Sequence, residues 1–271
     1  MIFRFAQKVR EHVSLSRQMR RSDSENNNSQ IIIGLRPILE AIESGKTIDR
    51  VLIQHGLQGE LFRDVREKLR QQNIGWQMVP IEKLNSISRA NHQGVIAFIS
   101  PIAFANLEAI VSASFKSGKI PLLLMLDGVT DVRNFGAICR SAECFGVDAV
   151  IIPEQGSVRI SEDAVKTSAG ALMHIPICKA GNLVETCSVL SASGILIFIA
   201  NEKAHLSIFD ADFTHPTCII LGSEDKGVRK ELLLVADQIV KIPLRGKTES
   251  LNVSTSNSIF LYELDRQRRL L

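Results

Sequence analysis

From Ile31 onward the chain alternates short apolar runs with longer stretches whose apolar residues recur every three or four positions. Ile31–Ile33 and Arg50–Gln54 are strand-like, Trp76–Val79 follows, and Gly94–Ser100 is a last strand before Pro101. Between them Arg36-Pro37 opens a helix that runs through Ser44, with Gly45 as its stop. Over Glu60–Gln72, Leu61, Val65 and Leu69 share one face with charges opposite, which predicts an amphipathic helix. A short helix begins at Pro80. These elements predict a compact α/β domain of about 70 residues ending at Ser100-Pro101.

Residues 105–117 read as a connecting helix, and a second alternating series starts at Pro121. Its strands are expected at Leu122–Leu126, Ala149–Ile152, Ile175–Cys178, Ile195–Ala200, Cys218–Leu221 and Ile239–Pro243. Helices lie between them, one over residues 135–144 with Asn134 as a candidate cap, and a last helix runs from Asn252 to Arg268. Wholly apolar strands with intervening helices argue for a parallel sheet covered on both faces.

Ahead of both series, Ile2, Phe3, Phe5, Val9 and Val13 recur at helical spacing among arginines, and Ser22–Gln30 has a linker's composition. Glu11, Asp23 and Glu25 argue against a mitochondrial transit peptide, leaving a basic RNA-contacting arm or a tail without a role. Charge divides along the chain: the first 102 residues carry an excess of five positive charges, the remainder an excess of two negative. If an anionic polymer binds, the front of the chain supplies the long-range attraction.

The chain has 271 residues, 45% hydrophobic and 23% charged, as in soluble globular proteins. Its longest apolar stretches are strand-length, so no membrane association is expected. Cys139, Cys144, Cys178, Cys187 and Cys218 sit in apolar segments without a CxxC pair. They read as buried small hydrophobes in a reducing, cytoplasmic compartment, with no metal site.

Parallel α/β sheets bind ligands beyond the carboxyl ends of their strands, so the loops Asp127–Asn134, Gly222–Gly227 and Arg245–Leu251 are the places to search. No GxGxxG follows any strand, which removes the dinucleotide fingerprint. Gly246-Lys247-Thr248 looks like the end of a P-loop, but the position that needs the first glycine is Lys241, so an NTPase is rejected.

Three segments carry a family pattern. Asp127-Gly128-Val129-Thr130-Asp131-Val132-Arg133-Asn134-Phe135-Gly136-Ala137-Ile138-Cys139-Arg140-Ser141-Ala142 resembles the first motif of the SpoU (TrmH-type) branch of the SPOUT RNA methyltransferases. Leu221-Gly222-Ser223-Glu224-Asp225-Lys226-Gly227 is similar to the second. Ile242-Pro243-Leu244 with Ser250-Leu251-Asn252-Val253-Ser254 is similar to the third. One departure is visible: the family has proline where Val132 stands, which loosens the loop but removes no functional group. Ile33-Gly34-Leu35-Arg36-Pro37 and Asn91-His92-Gln93-Gly94-Val95 give residues 31–100 a likeness to the substrate-binding domain of ribosomal 2′-O-methyltransferases of the RlmB type.

The resemblance implies an α/β fold with a SPOUT-type parallel sheet and a deep carboxyl-terminal trefoil knot, one of the exceptions to unknotted topology. With the residue pattern, which alone covers the front end, it divides the chain into a basic extension (1–30), an RNA substrate-binding domain (31–102), a linker helix (103–120) and a catalytic domain (121–271). It implies a homodimer that transfers a methyl group from S-adenosylmethionine to a ribose 2′-hydroxyl in RNA, with a guanosine of 23S ribosomal RNA as the expected target. A transfer RNA 2′-O-methyltransferase and a non-catalytic RNA-binding or assembly factor are the alternatives.

A 2′-hydroxyl is a poor nucleophile, so a site must orient it, help remove its proton and align the methyl group. The resemblance gives Arg140 the central role, against the plain reading of a solvated helix arginine. Because an ordinary arginine is protonated at any relevant pH, positioning and charge stabilisation are favoured over proton abstraction. Asn134, Glu224, Ser250 and Asn252 complete the implied catalytic set: Glu224 is expected to orient Arg140 or its loop, and Asn252 also suits the cap of the last helix. The cofactor is expected to lie on backbone groups at Ala200, Gly222, Ile242 and Leu251.

Overall fold

A computed structural model describes residues 31–270, which fall into two compact units parting between Ser100 and Pro101. The helix and linker expected over residues 1–30 lie outside the described residues.

The first unit is a four-stranded sheet in the order β1-β4-β2-β3, built from β1 (Ile31–Ile33), β2 (Ile48–Gln54), β3 (Trp76–Val79) and β4 (Val95–Ile99). β4 runs antiparallel to both β1 and β2, while β2 and β3 are parallel. One face carries α1 (Leu35–Glu43) and α2 (Glu60–Gln71), whose Ile38, Ile42, Phe62, Val65 and Leu69 close on Val51, Ile53, Val95 and Ala97. The buried stripe of α2 is led by Phe62, not by Leu61, which stays partly exposed. The other face is covered by α3 (Ile81–Ile87) through Leu84 against Leu52, Ile96 and Phe98.

The second unit opens with α4 (Leu107–Lys116), capped by Asn106, whose side chain accepts from the Ala109 amide at 2.8 Å. Its sheet contains β5 (Leu122–Asp127), β6 (Ala149–Pro153), β7 (Ile177–Ala180), β8 (Leu196–Ala200), β9 (Leu206–Ser207), β10 (Thr217–Gly222) and β11 (Gln238–Lys241). The order is β7-β6-β5-β10-β8-β11-β9 and every pairing is parallel. Alternation along the strands sorts two cores. Leu122, Leu124 and Leu126 face α5 (Val132–Cys144) and α9 (Val253–Arg268), whereas Leu123 and Met125 face α7 (Leu183–Ala192) and α8 (Lys230–Leu233). The strands are therefore apolar throughout, because both faces are dry. A short α6 (Glu162–Thr167) lies between β6 and β7. Among the described residues no helix is long and apolar enough to cross a membrane.

Three expectations need correction. The third strand of this sheet is Ile177–Ala180, two residues later than Ile175–Cys178: Pro176 has no N–H, and its carbonyl instead receives the Val150 amide at 2.9 Å as pairing begins. The sixth ends at Lys241, short of Pro243 for the same reason, and two-residue β9 on its far side had no pattern to betray it. Finally, Cys144 is exposed at the end of α5, while Cys139, Cys178, Cys187 and Cys218 are buried. Burial pushes the Cys139 and Cys218 thiols well up and those of Cys178 and Cys187 to about 11.

Candidate active site

The carboxyl ends of β5, β8, β10 and β11 lie side by side, and the loops leaving them meet the first turns of α5 and α9. Helix α5 begins three residues earlier than the 135–144 expectation, and its cap is Asp131, not Asn134. The Asp131 carboxylate accepts from the Arg133 and Asn134 amides at 2.9 Å each. An acid there satisfies two orphan donors and complements the helix dipole. Val132 then occupies the first helical position, where proline is favoured but not required. Freed from capping, the Asn134 side chain points to α9.

There it meets Asn252. The Asn252 carboxamide oxygen caps α9, accepting from the Ser254 amide at 2.9 Å, the Ser254 hydroxyl at 2.6 Å and the Thr255 amide at 3.4 Å. Its Nδ2 donates to Asn134 Oδ1 at 3.0 Å and to Glu224 Oε1. One side chain thus ties the β5, β10 and β11 loops together, and its hydrogen-bonding capacity is spent in doing so. What remains to meet a ligand are the Asn134 Nδ2 donors and the second Glu224 oxygen.

A cavity of about 550 Å³ opens beside this junction, within the usual range for a small-molecule site. Ala200, Gly222, Ile242 and Leu251 all line it, together with Glu224, Ser250 and Asn252. Asn134 and Arg140 do not. Gly222 is required by close approach: a Cβ there would lie 2.1 Å from the Gly227 carbonyl carbon and 2.3 Å from the Val228 nitrogen. The loop closes through the Gly227 amide on the Ser223 carbonyl at 2.9 Å, with Gly227 at φ 65. Residues 244–251 form no backbone–backbone hydrogen bond with described residues, so their amides and carbonyls are free to hold a ligand. With Leu251 and Phe260 as apolar wall, this lining fits a cofactor gripped by main chain and carrying a flat heterocycle.

Arg140 stands apart. It is exposed, six residues past Asn134 on α5, and its side chain makes no hydrogen bond or ion pair with any described residue. Glu224, expected to orient Arg140 or its loop, is engaged by Asn252 of the β11 loop, not by Arg140. A guanidinium left uncommitted on an exposed helix face is suited to a phosphate or a ribose brought by a substrate.

Two residues had escaped attention. Asp127, buried at the end of β5, accepts from Arg229 Nε at 2.8 Å, from a terminal guanidinium nitrogen at 2.5 Å, and from the Arg229 amide at 2.8 Å. The pair clamps the loop after β10 to the loop after β5 and holds the Arg229 guanidinium further above its ordinary value. A buried carboxylate requires such a partner. The signal was an acid closing an apolar strand, with Lys226, Arg229 and Lys230 as the candidate partners.

Residues 121–262 match the model of the SpoU rRNA methylase family, and residues 31–105 match that of the RNA 2′-O ribose methyltransferase substrate-binding domain. A TrmH family tRNA/rRNA methyltransferase of Staphylococcus epidermidis is 35% identical over 89% of this chain and 97% of its own. Among solved structures, an RNA 2′-O ribose methyltransferase superposes with a TM-score of 0.52 at 26% identity, over 90% of this chain and 91% of that one. The SpoU methyltransferase AviRb from Streptomyces viridochromogenes, solved with AdoMet, shares the fold with a TM-score of 0.57 at 24% identity, over 89% and 91%. The chain belongs to the SpoU rRNA methylase family. It is an RNA 2′-O-methyltransferase, of a class whose methyl donor is S-adenosylmethionine.

Proposed function

We propose that the chain methylates the 2′-hydroxyl of a guanosine in 23S ribosomal RNA, in the cytoplasm. The observation that carries this reading is the complete small unit ahead of the catalytic sheet, matched over residues 31–105 to a substrate-binding domain. A separate module with an excess of positive charge serves recognition of a large structured RNA better than attack on a short loop.

S-adenosylmethionine supplies an electrophilic methyl group when bound. Ala200, Gly222, Ile242 and Leu251 hold it through main-chain groups along the cavity they line. Arg140 binds the target phosphate and keeps the ribose hydroxyl in line, its charge stabilising the oxygen as the hydroxyl proton passes to solvent. Asn134 and Ser250 offer hydrogen bonds to the ribose, and Glu224 with Asn252 fixes the loops that present them. The resemblance also carries a carboxyl-terminal trefoil knot, with α9 as the threaded segment, and a homodimer with each site near the subunit interface. Sedimentation over a concentration series tests the dimer.

The experiment for the substrate is a map of 2′-O-methyl marks in RNA from cells lacking the protein. Loss of one guanosine mark in large-subunit RNA is the expected result. Loss confined to transfer RNA makes the chain a transfer RNA enzyme, and an unchanged map in every RNA leaves a binding or assembly factor.

A further inference from the structure

The two sequence motifs of the small unit, residues 33–37 and 91–95, fold to the same end of its sheet, and the end of β2 joins them. The Gly34 amide donates to the Val95 carbonyl at 3.2 Å, and the Gln54 amide donates to the Gly94 carbonyl at 2.8 Å. Both glycines have left-handed backbones, φ 93 and φ 78, and each faces a glutamine carboxamide. A Cβ on Gly34 would lie 3.3 Å from Gln93 Oε1, and one on Gly94 would lie 3.0 Å from Gln54 Oε1. Two carboxamides therefore rest against bare main chain at the mouth of three loops.

The loop that presents them is built at some cost. Gln93 itself has φ 50, a conformation that a side chain disfavours. It is held there by His92, which is buried. Its Nδ1 accepts from the Gly94 amide at 3.1 Å, so its Nε2 carries the proton given to Asn85 Oδ1 at 2.9 Å. Strain kept in place by a buried histidine marks a loop whose shape is used. Elsewhere in this chain loop amides are spent on structure: Asn106 and Asn182 cap helices. The Gln54 and Gln93 carboxamides, by contrast, make no hydrogen bond with any described residue, nor do the side chains of the exposed neighbours Arg36 and His55.

We infer that this end of the small sheet reads the base edge of an unpaired RNA nucleotide, with Gln54 and Gln93 as the reading groups and Arg36 as a phosphate contact. A carboxamide presents a donor beside an acceptor, the complement of a base edge, and being neutral it discriminates without attracting. The base must be unpaired because the deep groove of an RNA duplex does not admit side chains. This inference rests on the RNA-methyltransferase reading above and assigns the contact within its substrate domain.

The test uses the full chain and fluorescein-labelled short RNA homopolymers of A, C and U, with binding read by anisotropy across a salt series. The wild type binds one homopolymer several-fold more tightly than the others. Gln54→Ala combined with Gln93→Gly, a residue that suits φ 50, removes that preference and leaves the salt slope and S-adenosylmethionine affinity unchanged. Arg36→Gln keeps the preference and lowers the slope by about 0.7. Absence of a preference in the wild type, or its survival in the double variant, overturns the inference, as does a double variant that changes only the salt slope. The two readings fail separately. A chain that shows the glutamine-dependent preference yet methylates no RNA sinks the enzyme reading alone, and one that methylates RNA with the preference intact in the double variant sinks this one alone.

Discussion

At the scale of single residues, Asn252 and Arg140 divide the work in opposite ways. Asn252 spends its carboxamide on capping α9 and on joining Asn134 to Glu224, so it acts through the loops it holds. Arg140 spends nothing on the fold, which makes it the cleaner probe of chemistry. Arg140→Ala should lower methyl transfer by at least about 100-fold while thermal unfolding and S-adenosylmethionine affinity stay near wild type. Arg140→Lys should also fail substantially, since an ammonium lacks the planar fork. Full turnover by either folded variant removes Arg140 from the mechanism. The cysteines give a second residue-scale outcome. Four are buried and their thiols pushed up, whereas Cys144 is exposed, so iodoacetamide at neutral pH should label Cys144 alone in the folded protein. Rapid labelling at Cys139 or Cys218, read by peptide mass spectrometry, would contradict the packing described for the sheet.

At the scale of elements, the loop after β10 and the helix α9 are the parts that cannot yield. Gly222→Ala drives a methyl group into the Gly227–Val228 main chain, with no flexible side chain to move aside. We expect weakened S-adenosylmethionine binding by calorimetry, at least about tenfold, and a lowered unfolding temperature. Unchanged affinity would mean that the loop does not shape the cavity. Helix α9 with its cap Asn252 contributes Val253, Ser256 and Phe260 to the cavity wall, and at its other end Arg268 donates to the carbonyls of Ile120, Pro121, Phe213 and His215. Burial pushes the Arg268 guanidinium down to about 10, which still leaves it charged at neutral pH. A chain ending at Arg268 should unfold with the full-length protein. One ending at Gln267 should unfold several degrees lower, and one ending at Leu251 should lose the cofactor. Equal unfolding temperatures for the first two would refute the anchoring role of Arg268.

These elements also show how far the sequence could be read. The apolar strands of the large sheet were legible because both faces are buried, and the cap at Asn252 because its residue type and position agreed. Of the two readings of Asn134, a cap or a loop- and RNA-holding amide, the cap falls to Asp131, three residues earlier and equally suited by type, and only the path of the loop decides between them. All four residues expected for the cofactor line the cavity, and Arg140 stands outside it, as its place on the helix behind the Asp127–Asn134 loop, away from the cofactor loops, implied. The Asp127–Arg229 clamp joins the first motif to a residue two places past the second, and pairing across such a distance is set by sheet order, which periodicity does not encode.

At the scale of the whole molecule, two units with separate cores share one chain. The small one offers open amides at a sheet end. The large one offers a main-chain-lined cavity beside an asparagine junction and an uncommitted arginine. Together they describe an enzyme that recognises RNA and modifies its ribose. The most direct test is transfer of a labelled methyl group from S-adenosylmethionine to unmodified 23S ribosomal RNA by the full chain, followed by alkaline hydrolysis. Ribose methylation blocks cleavage at the modified nucleotide, so the account predicts label in an alkali-resistant dinucleotide whose 5′ residue is a guanosine. Label in ordinary mononucleotides would place the methyl group on a base, and no label in any RNA offered would remove the catalytic reading altogether.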